Sequence, residues 1–361
     1  MLFSKIPILI RLQTSLRKFS QKIIDYNYTV EQFPKIYINS PFSINIQPVD
    51  CHNNFNNNEL KIKLINNSNS NASVSCHISD NRVTIVGEIT NDDDFQNYEE
   101  LQCFIEAPIQ SDIFGTFRNN SYCKLKNLSN DNIEIKSDNG KIILDNIKSG
   151  NVIVESGGGS ITGSGLLQAD NIRLQTECTG DIKIKKIISN ALDIRSEDGE
   201  IHTDSCYSKN SLIQTQDGKI EMNNVHGNCK IVGNDLLGLF ISGFDGALKT
   251  EIKSSNDTNI NISQIVADSY VEIHQSNKKP IKFSVSKHVQ ENCDLYVKAS
   301  KLKNNLEDIQ LCSNEHNISV FKTNIRQQNK HQLIVTCPNA EVHLTELSWA
   351  EQFFKNKNYI E

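Results

Sequence analysis

Hydrophobic and polar residues alternate along most of this chain, and the alternation returns at a long, regular interval. The segments IEIKSDNGKIIL and LDIRSEDGEIHT each carry apolar residues at every second position on both sides of a polar turn that contains glycine. A period of two is the pattern of a β-strand with one buried face. The sequence therefore predicts strands joined by tight turns.

The turns recur about every 20 residues. Taking a glycine in each turn as an anchor gives Gly140, Gly159, Gly180, Gly199, Gly218 and Gly238, with steps of 19, 21, 19, 19 and 20 residues. Two residues after each anchor stand Ile142, Ile161, Ile182, Ile201, Ile220 and Phe240. Five or six residues before the first five anchors stand Ile135, Val154, Leu174, Ile194 and Ile213. Glycine at each anchor is expected to supply the positive φ of a tight corner.

A repeat of this length is typical of a solenoid, in which each rung buries its apolar side chains against the next. We predict an all-β fold, a single-stranded β-helix or β-solenoid of about nine rungs of 19–21 residues, spanning residues 111–290. A meander of hairpins has the same local pattern, because Asp-Gly between strands is also a hairpin signal. The persistence of the Ile column favours the solenoid.

The flanks divide by composition. Residues 20–110 are predicted to form an N-terminal β segment and cap, with an Asn-rich loop at 50–73. Residues 291–346 are predicted to form a C-terminal β segment, and residues 347–361 a short helical tail or, alternatively, a partner-binding peptide.

The first 24 residues are basic and contain no acid before Asp25. Their apolar stretch is broken by Pro7 and closed by Arg11, which is short for a secretory signal. The pattern predicts a mitochondrial transit peptide at residues 1–19, with cleavage before Ser20, and hence a protein of the mitochondrial matrix. A frayed N-terminal helix is the alternative.

Composition narrows the possible partners. The chain of 361 residues has a formal charge of −6, and no apolar run approaches the roughly 20 residues needed to span a bilayer. An acidic chain without a basic block argues against a nucleic-acid partner. Ten cysteines occur without a CxxC pair, so a zinc ribbon or redox motif is not indicated. The abundant asparagines suit turns and stacked polar corners.

Two aspartates are the first candidates for chemistry. Asp198 and Asp217 each precede an anchor glycine and are expected on neighbouring rungs. Such a pair could bind Ca²⁺ or serve as acid and base on a sugar. Aspartate before glycine is also the ordinary choice in a turn, and we favour that interpretation.

Two histidines and two cysteines could suggest a metal site: His202, His226, Cys206 and Cys229. Cys206 falls in an apolar column and is expected to be buried. His202 is expected to form a polar pair with Glu221 on the next rung. No catalytic residue, cofactor or metal ligand is therefore predicted.

The run from "IEIKSDNG" to "TQDGKIEMNNVHGN" resembles the "putative adhesin" repeat, a domain of unknown function found in bacterial and eukaryotic proteins. The resemblance covers roughly residues 100–290 and is nearest to an animal protein of that family. It implies a β-helix-like fold and, for the animal member, a mitochondrial setting.

The function predicted from the sequence is that of a non-enzymatic β-solenoid that acts as a scaffold in mitochondria and binds an unidentified protein partner. One alternative is a carbohydrate-active β-helix enzyme that uses Asp198 and Asp217. Another is a secreted surface adhesin, which glycosylation at Asn127 or Asn317 would support.

Overall fold

A computed structural model describes residues 22–50, 58–67, 71–89, 101–276, 279–306, 309–315, 318–323 and 331–348. The predicted transit peptide, and all but the first two residues of the predicted helical tail, lie outside these ranges. The described residues form 25 strands and one short helix, so the all-β prediction is confirmed. No helix within these ranges is long and apolar enough to span a bilayer.

The strands are numbered β1 to β25 in chain order. The first eight are β1 (Lys22–Thr29), β2 (Lys35–Ser40), β3 (Ser43–Pro48), β4 (Glu59–Asn66), β5 (Ala72–Ser79), β6 (Arg82–Ile89), β7 (Leu101–Ala107) and β8 (Asp112–Phe117). The next nine are β9 (Cys123–Lys126), β10 (Ser129–Ser137), β11 (Ile142–Asp145), β12 (Ile147–Ser156), β13 (Ile161–Thr176), β14 (Ile182–Ser196), β15 (Ile201–Thr215), β16 (Lys219–Asn223) and β17 (Val225–Leu236). The last are β18 (Gly238–Ser255), β19 (Thr258–Ile265), β20 (Ser269–Ser276), β21 (Ile281–Val285), α1 (Lys287–Asn292), β22 (Cys293–Asn304), β23 (Ile309–Glu315), β24 (Ile318–Thr323) and β25 (His331–Glu346).

The strands lie side by side in two long stacks. The first stack runs β1, β4, β7, β3, β9, β11, β13, β14, β15, β16, β18, β19, β21, β25, β22. The second runs β5, β6, β2, β8, β10, β12, β13, β14, β15, β17, β18, β20, β25, β22, β24, β23. Long strands such as β14 bend and contribute to both stacks. From β6 to β22 the second stack is parallel, which makes it roughly 60 Å long at about 4.8 Å per strand.

The apolar columns expected from the sequence form the core. Ile142 pairs in register with Ile161, and the register continues through Ile182, Ile201 and Ile220. All five side chains are fully buried. The column Ile135, Val154, Leu174, Ile194 and Ile213 is likewise paired in register and buried. A parallel stack places identical side chains above one another, so each rung buries the apolar face of its neighbour.

The anchor glycines are required for a reason different from the expected one. The glycines with positive φ in the described chain are Gly227, Gly243 and Gly246, so the prediction of positive φ at the anchors is wrong. At Gly159 and Gly199 an added Cβ would lie 2.1 and 2.0 Å from the carbonyl oxygen of the anchor on the preceding rung. At these two rungs the corner needs glycine because successive backbones approach too closely for a side chain.

A column of buried hydroxyl groups supports the same corner. Its members are Ser137, Ser156, Thr176, Ser196 and Thr215. The amide groups of Gly159 and Gly199 each donate a hydrogen bond of 3.0 Å to the serine three residues before. These bonds satisfy backbone donors that the turn would otherwise leave unpaired in a buried position.

At the sixth rung the corner does not fall at the predicted anchor, Gly238, but one residue earlier. Lys219 pairs with Gly238 and Ile220 with Leu239, so the corner position belongs to Leu237, whose side chain is 63% exposed. Phe240 consequently points outward, contrary to the predicted column.

Both ends of the fold depart from simple sequential winding. At the N-terminal end, β2 lies between β6 and β8, and β3 lies between β7 and β9. At the C-terminal end, β25 lies between β20 and β22 and pairs with β21 as well. Each end is thus closed by a strand inserted from a distant part of the chain. The predicted Asn-rich loop at 50–73 also needs correction, because it contains β4, which is paired on both sides.

Substituting Gly199 by alanine should lower the free energy of unfolding by about 1–3 kcal/mol, because the new Cβ would overlap the carbonyl of Gly180. The change would be measured as a lower midpoint of urea-induced unfolding.

Gly158→Ala is the matched control, since the nearest atom to its Cβ is Oδ1 of the Asn139 side chain, which can move. We expect a change within about 0.5 kcal/mol for this variant. Equal midpoints for the two variants would contradict the proposed role of close backbone approach.

Candidate functional site

Asp198 and Asp217 lie at the exposed corner of the stack. The backbone amide of Asp198 donates to the Cys178 carbonyl at 3.0 Å, and that of Asp217 donates to the Glu197 carbonyl at 3.1 Å. Both residues are exposed. None of the grooves described below is lined by either aspartate.

His202 and Cys206 occupy the positions expected from the sequence. His202 pairs in register with Glu221, with Nδ1 at 3.8 Å from the carboxylate, and its Nε2 lies 2.9 Å from Asp204. Cys206 is fully buried in a column with Ile187. The polar pair and the buried thiol predicted for these positions are confirmed.

His226 and Cys229 do not come together as a metal site. His226 stacks on Tyr207, with ring centroids 4.6 Å apart, and its Nδ1 lies 3.4 Å from Asp245. Cys229 is buried. Within the described ranges, no group of three or more His, Cys, Asp or Glu side chains is placed to hold a metal ion.

The buried thiols are poor nucleophiles. Burial raises the pKa of seven cysteines within the described ranges: to about 11 at the half-buried Cys76 and at Cys229 and Cys293, to about 12 at Cys103 and Cys337, and upward also at Cys123 and Cys206. Only the thiolate is reactive, so these groups are inert near neutral pH. Cys178 and Cys312 are exposed.

The outward side of the first stack carries charges that pair with one another. Lys183 Nζ lies 2.8 Å from Glu200 and 2.9 Å from Asp181, while Lys219 Nζ lies 3.1 Å from Glu200. Hydrogen bonds with Glu200 and Asp181 raise the pKa of Lys183. Partial burial would raise the pKa of Glu200, but its hydrogen bonds with Lys183 and Lys219 outweigh burial and lower it. This surface satisfies its own charges.

Stacked asparagines line the edge of the second stack. The side-chain amide of Asn151 donates to Asn132 at 3.2 Å, and Asn171 donates to Asn151 at 2.8 Å. Further along the same edge, Asn228 donates to Asn210 at 3.1 Å. The stacked polar corners expected from the abundance of asparagine are confirmed.

The outward side of the second stack presents a different surface. One row of side chains, which we call the outer column, runs across fourteen strands in continuous register: Thr84, Tyr37, Phe114, Glu134, Ile153, Arg173, Asp193, Leu212, Lys230, Lys249, Tyr270, Ile334, Tyr296 and Lys322. Half of these residues are apolar or aromatic. Ile153 is 37% exposed and Tyr270 is 44% exposed. Aromatic side chains and arginine are enriched in protein interfaces, whereas lysine is depleted there.

Two shallow grooves lie along the outer column. One, of about 310 Å³, is lined by Tyr37, Phe114 and polar neighbours near the N-terminal end. The other, of about 510 Å³, lies beside Ala191 and is lined in part by Lys230 and Tyr270. Ala191 interrupts the row of asparagines, because it stands between Asn171 and Asn210 in the register, and its small side chain opens the surface there.

The outer column was not foreseen from the sequence. Its members in the regular repeat lie on the polar phase of each strand, where a solvated face was expected. Tyr37 and Phe114 are distant in sequence and become neighbours only because β2 is inserted beside β8. The apolar residues Ile153 and Leu212, at positions where polar residues were expected, were the sequence feature that could have indicated this surface.

The family of this chain can be assigned from the region that contains the repeat. The sequence of residues 43–236, more than half of the chain, matches the family described as Toastrack DUF4097. The chain belongs to the Toastrack DUF4097 family. This match agrees with the resemblance to the adhesin repeat, but it gives no support to the nearer likeness to an animal protein.

Several solved bacterial structures are similar to this chain. One, a "putative adhesin" from Parabacteroides merdae, is 14% identical, covers 68% of this chain and 96% of its own, and has a TM-score of 0.46. A protein of the same description from Parabacteroides distasonis is 15% identical, covers 68% and 97%, and has a TM-score of 0.42. A third, from Bacteroides fragilis, is 16% identical, covers 69% and 99%, and has a TM-score of 0.35.

The predicted localisation needs correction. The structures similar to this Toastrack chain come from bacteria, which have no mitochondria, and they are described as adhesins. The prediction of a mitochondrial matrix protein is therefore wrong. The basic segment on which it rested lies outside the described residues.

Native thiol labelling should distinguish the exposed from the buried cysteines. With N-ethylmaleimide at pH 7.5, we expect Cys178 and Cys312 to be modified in the folded chain. The six buried cysteines should react only after unfolding in urea, because both access and thiolate formation are blocked. Peptide mass spectrometry would identify each site, and the urea-unfolded chain is the control. Rapid labelling of Cys206 in the folded protein would contradict the described core.

Replacing Glu200 by glutamine should lower stability at pH 7 by about 0.5–1 kcal/mol, because two lysines lose their shared carboxylate. The pKa of Glu200 is lowered in the folded chain from its ordinary value of 4.5. Its stabilising contribution is therefore complete above that ordinary pKa and is lost as the pH falls through the folded pKa. Urea unfolding of both proteins should differ at pH 7 and converge in acid.

Glu177→Gln, at an exposed corner position, is the control and should leave stability within about 0.5 kcal/mol of the parent. A difference between Glu200→Gln and the parent that persisted unchanged into strong acid would rule out the ion pairs as its cause.

Proposed function

We propose that this Toastrack chain is a non-enzymatic, adhesin-like binding protein that is displayed outside the cell and binds its partner along the outer column. In this proposal, residues 111–290 wind as a single-stranded solenoid of about nine rungs and serve as the rigid support. The partner is a molecule on the surface of cells of the same kind.

The observation that carries the proposal is the contrast between the two outward faces. The first stack neutralises its own charges through Lys183, Glu200 and Lys219. The outer column also pairs charges, as in Lys230 with Glu251, but it leaves the apolar side chains of Ile153 and Tyr270 exposed as well. Exposed apolar side chains are unfavourable in water, and a bound partner would remove them from it.

The binding role, as opposed to catalysis, is supported by the placement of reactive groups. Asp198 and Asp217 are exposed at a corner, and the buried thiols have raised pKa values. A rigid row of side chains suits binding, because little conformational entropy is lost when the partner docks.

The location outside the cell is adopted from the adhesin description of the similar bacterial proteins.

The test combines localisation with surface variants. Biotinylation of intact cells with an impermeant reagent should label the protein. Purified, fluorescently labelled protein should bind to the surface of the same cells in flow cytometry. The double variant Ile153→Glu, Tyr270→Ala should bind to the cells at least about tenfold more weakly, because it removes exposed apolar contacts from the outer column.

Val266→Glu is the matched control, since Val266 is 47% exposed but lies outside the outer column. Thermal unfolding of each variant would verify the fold. Equal loss in the control and the double variant, or absence of the protein from the biotinylated fraction, would contradict the proposal.

A further inference from the structure

One part of the outer column is a groove with an aromatic wall. The Tyr37 and Phe114 rings stack with centroids 4.8 Å apart and an interplanar angle of 13°. They form one wall of the groove of about 310 Å³, which we call the aromatic groove. Its volume is at the lower end of those that hold small ligands, so it fits a few rings of a compact molecule and not a folded protein surface.

The aromatic wall is fixed before any ligand arrives. Tyr37 and Phe114 face each other because their strands pair in register. The Arg82 guanidinium lies 4.1 Å from the centroid of the Tyr37 ring, where a cation–π contact holds that ring. A preorganised wall avoids the entropy cost of ordering two side chains on binding.

The polar side chains of the aromatic groove are mostly uncharged. Asn39, Thr84 and Thr116 supply hydroxyl and amide groups that can both donate and accept hydrogen bonds. The two charged residues that line it, Glu134 and Lys136, are paired at 3.6 Å. The groove therefore offers neutral hydrogen-bonding groups beside an aromatic wall and has no excess of either charge.

We propose that the aromatic groove binds a neutral saccharide. Phe114 and Arg82 lie against opposite faces of the Tyr37 ring, because β2 is between their strands. The apolar C–H face of a sugar ring therefore packs against Phe114 on the side away from Tyr37. Its hydroxyl groups bond to Asn39, Thr84 and Thr116. A nucleic-acid strand is disfavoured, because such sites add a positively charged track to their stacking aromatics, and here Lys136 is already paired with Glu134. The inference deepens the proposed function and rests on it, since it assigns a ligand class to one segment of the outer column.

The experiment is calorimetric titration of the full chain with four probes: cellopentaose, maltopentaose, laminaripentaose and triacetylchitotriose. Trigalacturonic acid and a single-stranded dT oligonucleotide are included as anionic comparisons. We expect binding of at least one neutral probe, with the Phe114→Ala variant at least about tenfold weaker. Phe114→Leu keeps apolar bulk but lacks the flat ring, so it should also bind more weakly while remaining folded.

Tyr207→Ala is the matched control, because Tyr207 belongs to an exposed aromatic stack with His226 on another side of the molecule. This variant should bind saccharide as the parent does. Failure of all four neutral probes to bind at millimolar concentration would overturn the inference. So would binding unaffected by both Phe114 variants, or binding of the anionic probes alone.

These outcomes are separable from failure of the proposed function. If the protein is displayed on cells and loses adhesion in the Ile153 and Tyr270 double variant, but binds no neutral saccharide, only the ligand assignment is overturned. If it binds saccharide through Phe114 but is absent from the cell surface, the proposed function is overturned and the aromatic groove remains a binding site.

Discussion

The close approach of successive backbones at the glycine corner is the constraint on which the rest of this structure depends. With no Cβ at Gly159 or Gly199, each rung can settle directly on the carbonyl of the one before. That contact sets the parallel register, and the register sets which side chains stack. The buried isoleucine columns and the hydroxyl column beside the corner follow from the same alignment.

The strand register that aligns the buried side chains also aligns the exposed ones. An outward side chain on one strand must lie beside the outward side chain of the next, so surface properties accumulate along rows. On the first stack, the rows alternate in charge and neutralise one another. On the second stack, they bring Tyr37 beside Phe114 at one end of the outer column and place Tyr270 beside Ile334 towards the other. A binding surface of this kind costs the fold little, because outward positions do not contribute to the core.

The repeating features of the structure could be predicted from the sequence, and the non-repeating ones could not. The Ile182 column, the burial of Cys206 and the pairing of His202 follow from period and spacing, because each is a local rule applied many times. The corner at Leu237 was misassigned because a neighbouring glycine suggested the wrong alignment. The aromatic groove was missed because Tyr37 and Phe114 are neighbours only through a long-range insertion, which no local pattern encodes.

The insertion of β25 between β20 and β22 also orders events in time. A chain emerging from the ribosome makes β20, β21 and β22 before the strand that must lie among them exists. Until β25 has been synthesised, this part of the fold therefore keeps an open slot one strand wide, with unpaired backbone groups on both sides. The pairing of β20, β21 and β22 is complete only once β25 has entered that slot.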